Sequence, residues 1–200
     1  MSSALPIEIP HQQQVQRKLA AVNLCIQTLQ TLNDRLLDEH EIHVLAEAVT
    51  CGAITQMLQA LDATLYGFSK LLPDPLPHSR VSRRNLRDRF HALQCESQAL
   101  RLIMEEATRP NSGWLWWLER KAEGSAFFPL LLLEAPRPNT LVLWRDPANH
   151  TAGLEPSPSP VYLHDMLERM RDLTRQVADR IPEDLHHYRE SWRHQRHHLL

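Results

Sequence analysis

Glycine is scarce, with 5 in 200 residues. A β-hairpin fold places glycine at its turns, and a phosphate-cradling loop needs several within a few positions, so both are disfavoured. There is no G-x-G-x-x-G, no Walker-type loop, no G-x-S-x-G and no paired C-x-x-C. Cysteine is also rare. Cys25, Cys51 and Cys95 form an odd, widely spaced set that suits neither a disulfide framework nor a zinc knuckle. Each falls in a predicted helix, where a free thiol behaves as a small hydrophobe. Unbroken apolar runs are short as well. PLLLL at 129–133 is far below the roughly 20 residues of a membrane span. The opening MSSALPIEIPHQQQ lacks the basic and apolar regions of a secretory signal. The expectation is a soluble, cytoplasmic chain with no membrane partner. A net charge of −2 leaves no overall field to draw in nucleic acid.

What the chain does contain is helical periodicity. Asp38 to Leu72 reads as a long buried helix, with Ile42, Leu45, Val49, Ala53, Met57, Ala60, Leu61, Thr64, Leu65, Phe68 and Leu72 at steps of mostly three or four. Asp38 and Glu41 suit a capping box, and Pro73 ends the helix. Gly52 costs about 1 kcal/mol in a helix interior, which predicts a close helix crossing there. Before it, from Pro10, Val15, Leu19, Val22, Ile26, Leu29, Asn33 and Leu36 form a heptad-like seam. The tight turn between the two predicts an antiparallel hairpin, with the seam packed against the next helix.

After the rigid loop at 73–79, Ser82 caps a third helix predicted to run to about Ala107, burying Leu86, Phe90, Leu93, Leu100 and Met104. GWLWWLERKAEG reads as a short helix capped by Asn111 or Ser112. Phe127 to Leu133 suits strand or helix equally, and TLVLW at 140–144 is the best strand candidate. Residues 146–160 carry four prolines within an almost apolar-free stretch and read as an exposed linker. The last helix opens at Pro160 and buries Leu163, Met166, Leu167, Met170, Leu173 and Val177. Pro182 is expected to kink or interrupt it, before a final segment with Leu185, Tyr188, Trp192 and Leu199 on one side. The predicted fold is all-α: a flexible tail at 1–9, then one helical domain over 10–200. That domain is an antiparallel bundle of about four long helices with an irregular insert at 108–160.

The long hairpin, the run AEAVTCGAITQMLQALDATLYGFSKLL, the SGWLWWLER block and the late helix closing on RESW resemble a family of short bacterial helical proteins known only as a domain of unknown function. The resemblance spans about 15–195 and implies a helical bundle. It implies no activity, cofactor or catalytic residue. The arginines at 80–89 and the His-rich end depart from that pattern.

Four constellations could carry chemistry. In SRVSRRNLRDRFH, Arg80, Arg84, Arg87 and His91 recur at helical spacing, on a face opposite Leu86, Phe90 and Leu93. They point to solvent or to a partner. Cations near a helix start oppose the helix dipole, which hints at an anionic partner. Arg84-Asn85 followed by His91 also resembles the Arg-polar-x(4–6)-His signature of HEPN-type ribonucleases, helical bundles that act as dimers. That resemblance implies His91 as proton acceptor for a ribose hydroxyl, Arg84 as stabiliser of phosphate charge, and Asn85 orienting either group. The bland alternative is a solvated basic face.

In HHYRESWRHQRHHLL, His187, His194 and His198 align on a continuous helix near Glu190, and the last two stand at the i,i+4 spacing that chelates zinc or copper. A polar face near a helix end explains the same pattern. Glu39 and His43 form an i,i+4 pair, better explained by capping than by metal. Trp114, Trp116 and Trp117 cannot all point inward; Trp116 is the one expected to stay partly exposed and to offer an aromatic contact.

The leading expectation is a non-catalytic interaction or accessory protein. It engages an unknown protein partner, or itself as a homodimer, through Arg80, Arg84, Arg87, His91 and Trp116, and needs no cofactor. The alternative is a HEPN-like metal-independent ribonuclease built on Arg84, Asn85 and His91. A second alternative is a nucleic-acid-binding accessory protein using the same arginines.

Overall fold

The computed structural model describes residues 11–32, 39–108, 114–125 and 160–197. Among them are six helices and no strand: α1 (Gln12–Gln30), α2 (Glu39–Lys70), α3 (Arg83–Ala92), α4 (Gln98–Thr108), α5 (Trp114–Ser125) and α6 (Pro160–His197). The all-α class is therefore the observed one. The strand candidate at 140–144, the segment 127–133, the linker at 146–159 and the caps at Asp38, Asn111 and Ser112 lie outside the described residues.

The hairpin of α1 and α2 forms as its periodicity predicts. Val15, Leu19, Val22, Ile26 and Leu29 are all buried. Contacts along the pair show the antiparallel run: His11 packs against Tyr66, Lys18 donates to Gln59 at 2.6 Å, and Cys25 lies beside Gly52. Numbers rise on one helix as they fall on the other. The heptad-like seam is therefore satisfied within the chain as far as Leu29; Asn33 and Leu36 lie outside the described residues.

Gly52 does not mark a forced close approach. A Cβ built on it would meet only Cys25 Sγ, at 3.9 Å, an ordinary van der Waals contact. By length and composition, Val44–Lys70 of α2 would suffice to cross a membrane. Polar residues punctuate the segment, so it contains no unbroken apolar run of that length. In this fold Ala53, Ile54, Met57, Ala60, Leu61, Leu65 and Phe68 of that segment are core residues, packed against α1, α5 and α6.

The third predicted helix breaks in two. Its chain turns at residues 93–97, where Gln94 takes a left-handed backbone (φ 55°) and the amide of Cys95 reaches back to the carbonyl of Phe90 at 3.1 Å. Leu86, Phe90 and Leu100 are buried as expected, whereas Leu93 and Met104, displaced by the break, are only half-buried. The core residues on α4 that the longer helix did not predict are Ala99 and Ile103. The long helices are therefore α1, α2 and α6, with α3, α4 and α5 short.

Helix α6 buries every residue expected of its inner face, and continues through Pro182 to His197 without interruption. Its second half holds the ends of three other helices. Asp184 sits at the start of α4. Arg189 donates to the carbonyl of Leu71, just past α2, at 3.4 Å, and Gln195 donates to the carbonyl of Ala92 at the end of α3, at 3.0 Å. Helix termini carry unpaired backbone groups, so side chains placed there fix where each helix stops.

Candidate binding surface on the third helix

Helix α3 begins at Ser82, whose hydroxyl accepts from the Asn85 amide at 3.1 Å. Arg80 belongs to the preceding 3₁₀ turn, His78–Arg80, rather than to α3. The Asn85 side chain fastens that turn to the helix, donating from Nδ2 to the Arg80 carbonyl at 2.6 Å. Two aromatic contacts fix the helix from beneath: Phe90 packs against Phe68 of α2 at 5.7 Å between ring centres and against Tyr188 of α6 at 4.9 Å.

The arginines of this segment divide into two groups. Arg83 pairs with Glu119 and so ties α3 to α5. Arg89 pairs with Asp74, donates to the Asp74 carbonyl at 3.2 Å and also bonds Tyr188, closing the proline loop against α6. Arg80, Arg84 and Arg87 stay exposed, as does His91. The Arg84 side chain is 84% exposed and meets Asp88 only at 4.0 Å; Arg87 meets the same carboxylate at 3.9 Å. Surface pairs of that kind contribute little. The first turn of α3 carries no acidic residue, so its cations face the positive end of the helix uncompensated from within.

Between α3 and α4 lies a cavity of about 200 Å³. Phe90, Leu100 and Met104 give it an apolar floor, and Arg87, His91, Arg101 and Glu96 stand around it, with Cys95 and Ser97 on the wall. Sequence reasoning found Arg87 and His91 but missed Arg101 and the cavity itself. The opening exists because the chain turns at 93–97, and only Ser97 signalled the new helix start.

Ser97 caps α4, accepting from the Leu100 amide at 3.0 Å. Its hydroxyl donates to Asp184, at 2.5 Å, and the same carboxylate accepts from the amides of Gln98 and Ala99, both at 2.9 Å. Burial pushes the Cys95 thiol up from its ordinary pKa, against an opposing hydrogen bond from Ser191, with the nearby Asp184 charge pushing the same way as burial. Cys95 is thus a neutral wall and a poor nucleophile.

No family model matches the chain, and neither does any curated protein or solved structure.

The remaining candidates are more dispersed. Trp114 is buried and Trp116 half-buried, with Leu115 and Leu118 carrying the rest of the inner face of α5; the Trp117 side chain lies outside the described residues. On α6, His187 and His194 are exposed, while His198 lies outside the described residues. Glu190 meets His186, at 3.3 Å. Among the described residues no three His, Cys, Asp or Glu side chains gather as a metal site. The side chains of Glu39 and His43 lie outside the described residues.

Proposed function

We propose that this protein is a non-catalytic helical interaction protein that docks a negatively charged protein surface on the outer face of α3, with Arg80 at its edge. The observation that carries the reading is the division of the arginines. Arg83 and Arg89 hold α3 in place, whereas Arg80, Arg84 and Arg87 stay exposed, and Arg84, in the first turn, opposes the helix dipole. A carboxylate-rich partner would relieve that repulsion. Trp116, on the helix that Arg83 grips, is the aromatic candidate for the same interface.

Light scattering on fractionated wild type and an Arg84→Glu/Arg87→Glu variant tests self-association, and crosslinking in cells tests other partners. The expected result is a complex lost on charge reversal and in high salt, with the helical content unchanged. Identical monomers that crosslink to the same proteins would defeat the proposal.

The ribonuclease reading keeps one supporting observation: Arg84 and His91 share the outer face of α3, and neither is taken up by the core. Against it, Asn85 is engaged at the Arg80 carbonyl, and the cavity takes in His91 but not Arg84. Incubation with mixed RNA in EDTA, beside an Arg84→Ala/His91→Ala variant, decides between them. Cleavage that the variant loses would make the protein an enzyme. If RNA is bound but not cleaved, and the binding weakens steeply with salt, the arginines serve nucleic acid instead.

A further inference from the structure

The cavity between α3 and α4 combines an apolar floor with cations on facing helices. Phe90 and Leu100 are almost fully buried, and Met104 extends the floor as a flexible apolar side chain. Arg87 reaches the rim from α3 and Arg101 from α4. Neither guanidinium is tied up by a close hydrogen bond. Arg87 meets Asp88 at 3.9 Å and Arg101 meets Glu105 at 3.6 Å, so donors remain for the two-pronged contact a carboxylate makes with arginine. The start of α4 is not the anchor, because Asp184 already accepts from its first amides.

We propose that this cavity binds a small amphipathic monocarboxylate, of the medium-chain alkanoate or arylalkanoate class. Its apolar body lies on Phe90, Leu100 and Met104, and its carboxylate sits between Arg87 and Arg101. Two observations narrow the class. At about 200 Å³ the cavity is below the range that drug-sized ligands occupy, so the ligand is small. Glu96 also lines the cavity and offsets one of the two arginines, so the lining balances a single negative charge and favours a monoanion. An amine of the same length would meet two lining arginines against one lining carboxylate, Glu96, and should bind more weakly. The proposal shares Arg87 with partner docking but rests on the space between α3 and α4 and on Arg101, neither of which docking uses.

The test is a titration of the full chain, labelled with nitrogen-15, with sodium octanoate, octan-1-ol and octylamine, followed by amide shifts. For a ligand of about ten heavy atoms the dissociation constant expected with octanoate is on the order of 0.1–1 mM. Shifts should concentrate between Gln94 and Met104. Octanol and octylamine should each bind at least about tenfold more weakly, since one charge-assisted contact is worth at least that factor. An Arg87→Gln/Arg101→Gln variant replaces side chains that are 46% and 62% exposed, so it should fold normally and lose octanoate binding by a similar factor. Absence of octanoate shifts at 20-fold above that range, equal binding of octanol, or a variant that binds as wild type would each overturn the assignment. Loss of partner docking, read by light scattering, would leave it standing.

Discussion

Replacing Asp184 tests the clamp that builds the surface around α3 and α4. The side chain is 1% exposed, and its carboxylate accepts three hydrogen bonds at 2.5–2.9 Å from Ser97, Gln98 and Ala99. Each bond to a charged acceptor is worth about 1.5–3 kcal/mol, but the three share one group and do not add fully. Asp184→Ala also leaves the buried Ala99 amide without its acceptor, while Ser97 keeps its cap on the Leu100 amide. The net loss is expected to be about 3–4 kcal/mol. At about 2–4 °C per kcal/mol for a domain of this size, the melting point should fall by roughly 6–15 °C. Asp184→Asn keeps an acceptor without the charge and should cost roughly half as much.

Urea unfolding followed by circular dichroism reads the loss. Native-state hydrogen exchange should locate it, with faster exchange at the amides of α4's first turn and little change along α1. A double variant with Ser97→Ala should show a coupling of at least about 1 kcal/mol. An alanine variant within about 1 kcal/mol of wild type would refute the clamp and, with it, the account of why the chain turns at 93–97.

Three further outcomes follow from the packing. Gly52→Ala should stabilise the fold by about 0.5–1 kcal/mol, since the new methyl meets Cys25 only at contact distance while helix propensity improves; a destabilised variant in urea would mean the hairpin is tighter there than the geometry states. Burial pushes the Tyr188 phenol up, with Arg89 opposing, so the folded protein holds that proton longer than the unfolded chain does. Its stability is intact below the unfolded phenol's value of about 10 and falls as pH rises from there toward the folded value; Tyr188→Phe should flatten that alkaline loss in urea titrations run across pH 9–11.5, and an unchanged slope would exclude Tyr188 as its source. Burial is also the main cause raising the thiols of Cys25, Cys51 and Cys95, so all three should react with a disulfide reagent at pH 8 far more slowly in the native protein than in urea, and one fast native thiol would contradict this.

The hairpin and the inner face of α6 were legible in the sequence because local spacing alone determines which face of a helix is apolar. Val15 to Leu29 and Leu163 to Val177 became core without help from elsewhere. The break between α3 and α4 was not legible. No glycine or proline marks residues 93–97, and the group that stabilises the new helix start, Asp184, lies 87 residues from Ser97. A local pattern cannot announce a partner so distant. Pro182 misled for the opposite reason: proline weakens a helix by local rules, yet Ile181, Asp184, Leu185 and Tyr188 are all buried, and that packing keeps α6 continuous. In the candidate site, the row of arginines is plain in the sequence, and its division into two groups follows from the same spacing. Arg83 and Arg89 each stand three residues from buried Leu86, so helical spacing already set them beside the inner face, apart from Arg84 and Arg87.

That division yields a prediction that separates function from stability. If the outer arginines existed to hold the fold, reversing one should weaken it. Arg84 lies in the first turn of α3, where a cation opposes the helix dipole, and its contact with Asp88 is long and exposed. Arg84→Glu exchanges an unfavourable charge for a favourable one at that end, and adds a like-charge pair with Asp88 four residues on. The two effects are each a few tenths of a kcal/mol and opposite in sign, so unfolding in urea should move by less than about 0.5 kcal/mol. The same reversal at Arg83, which pairs with Glu119 across to α5, removes a part-buried ion pair and sets two carboxylates against each other; it should be clearly destabilising, by about 1–2 kcal/mol. Partner docking should respond the other way, lost with Arg84→Glu/Arg87→Glu while the fold is kept. If Arg84→Glu unfolds as readily as Arg83→Glu, the outer row is structural, and the case for a docking face on α3 fails with it.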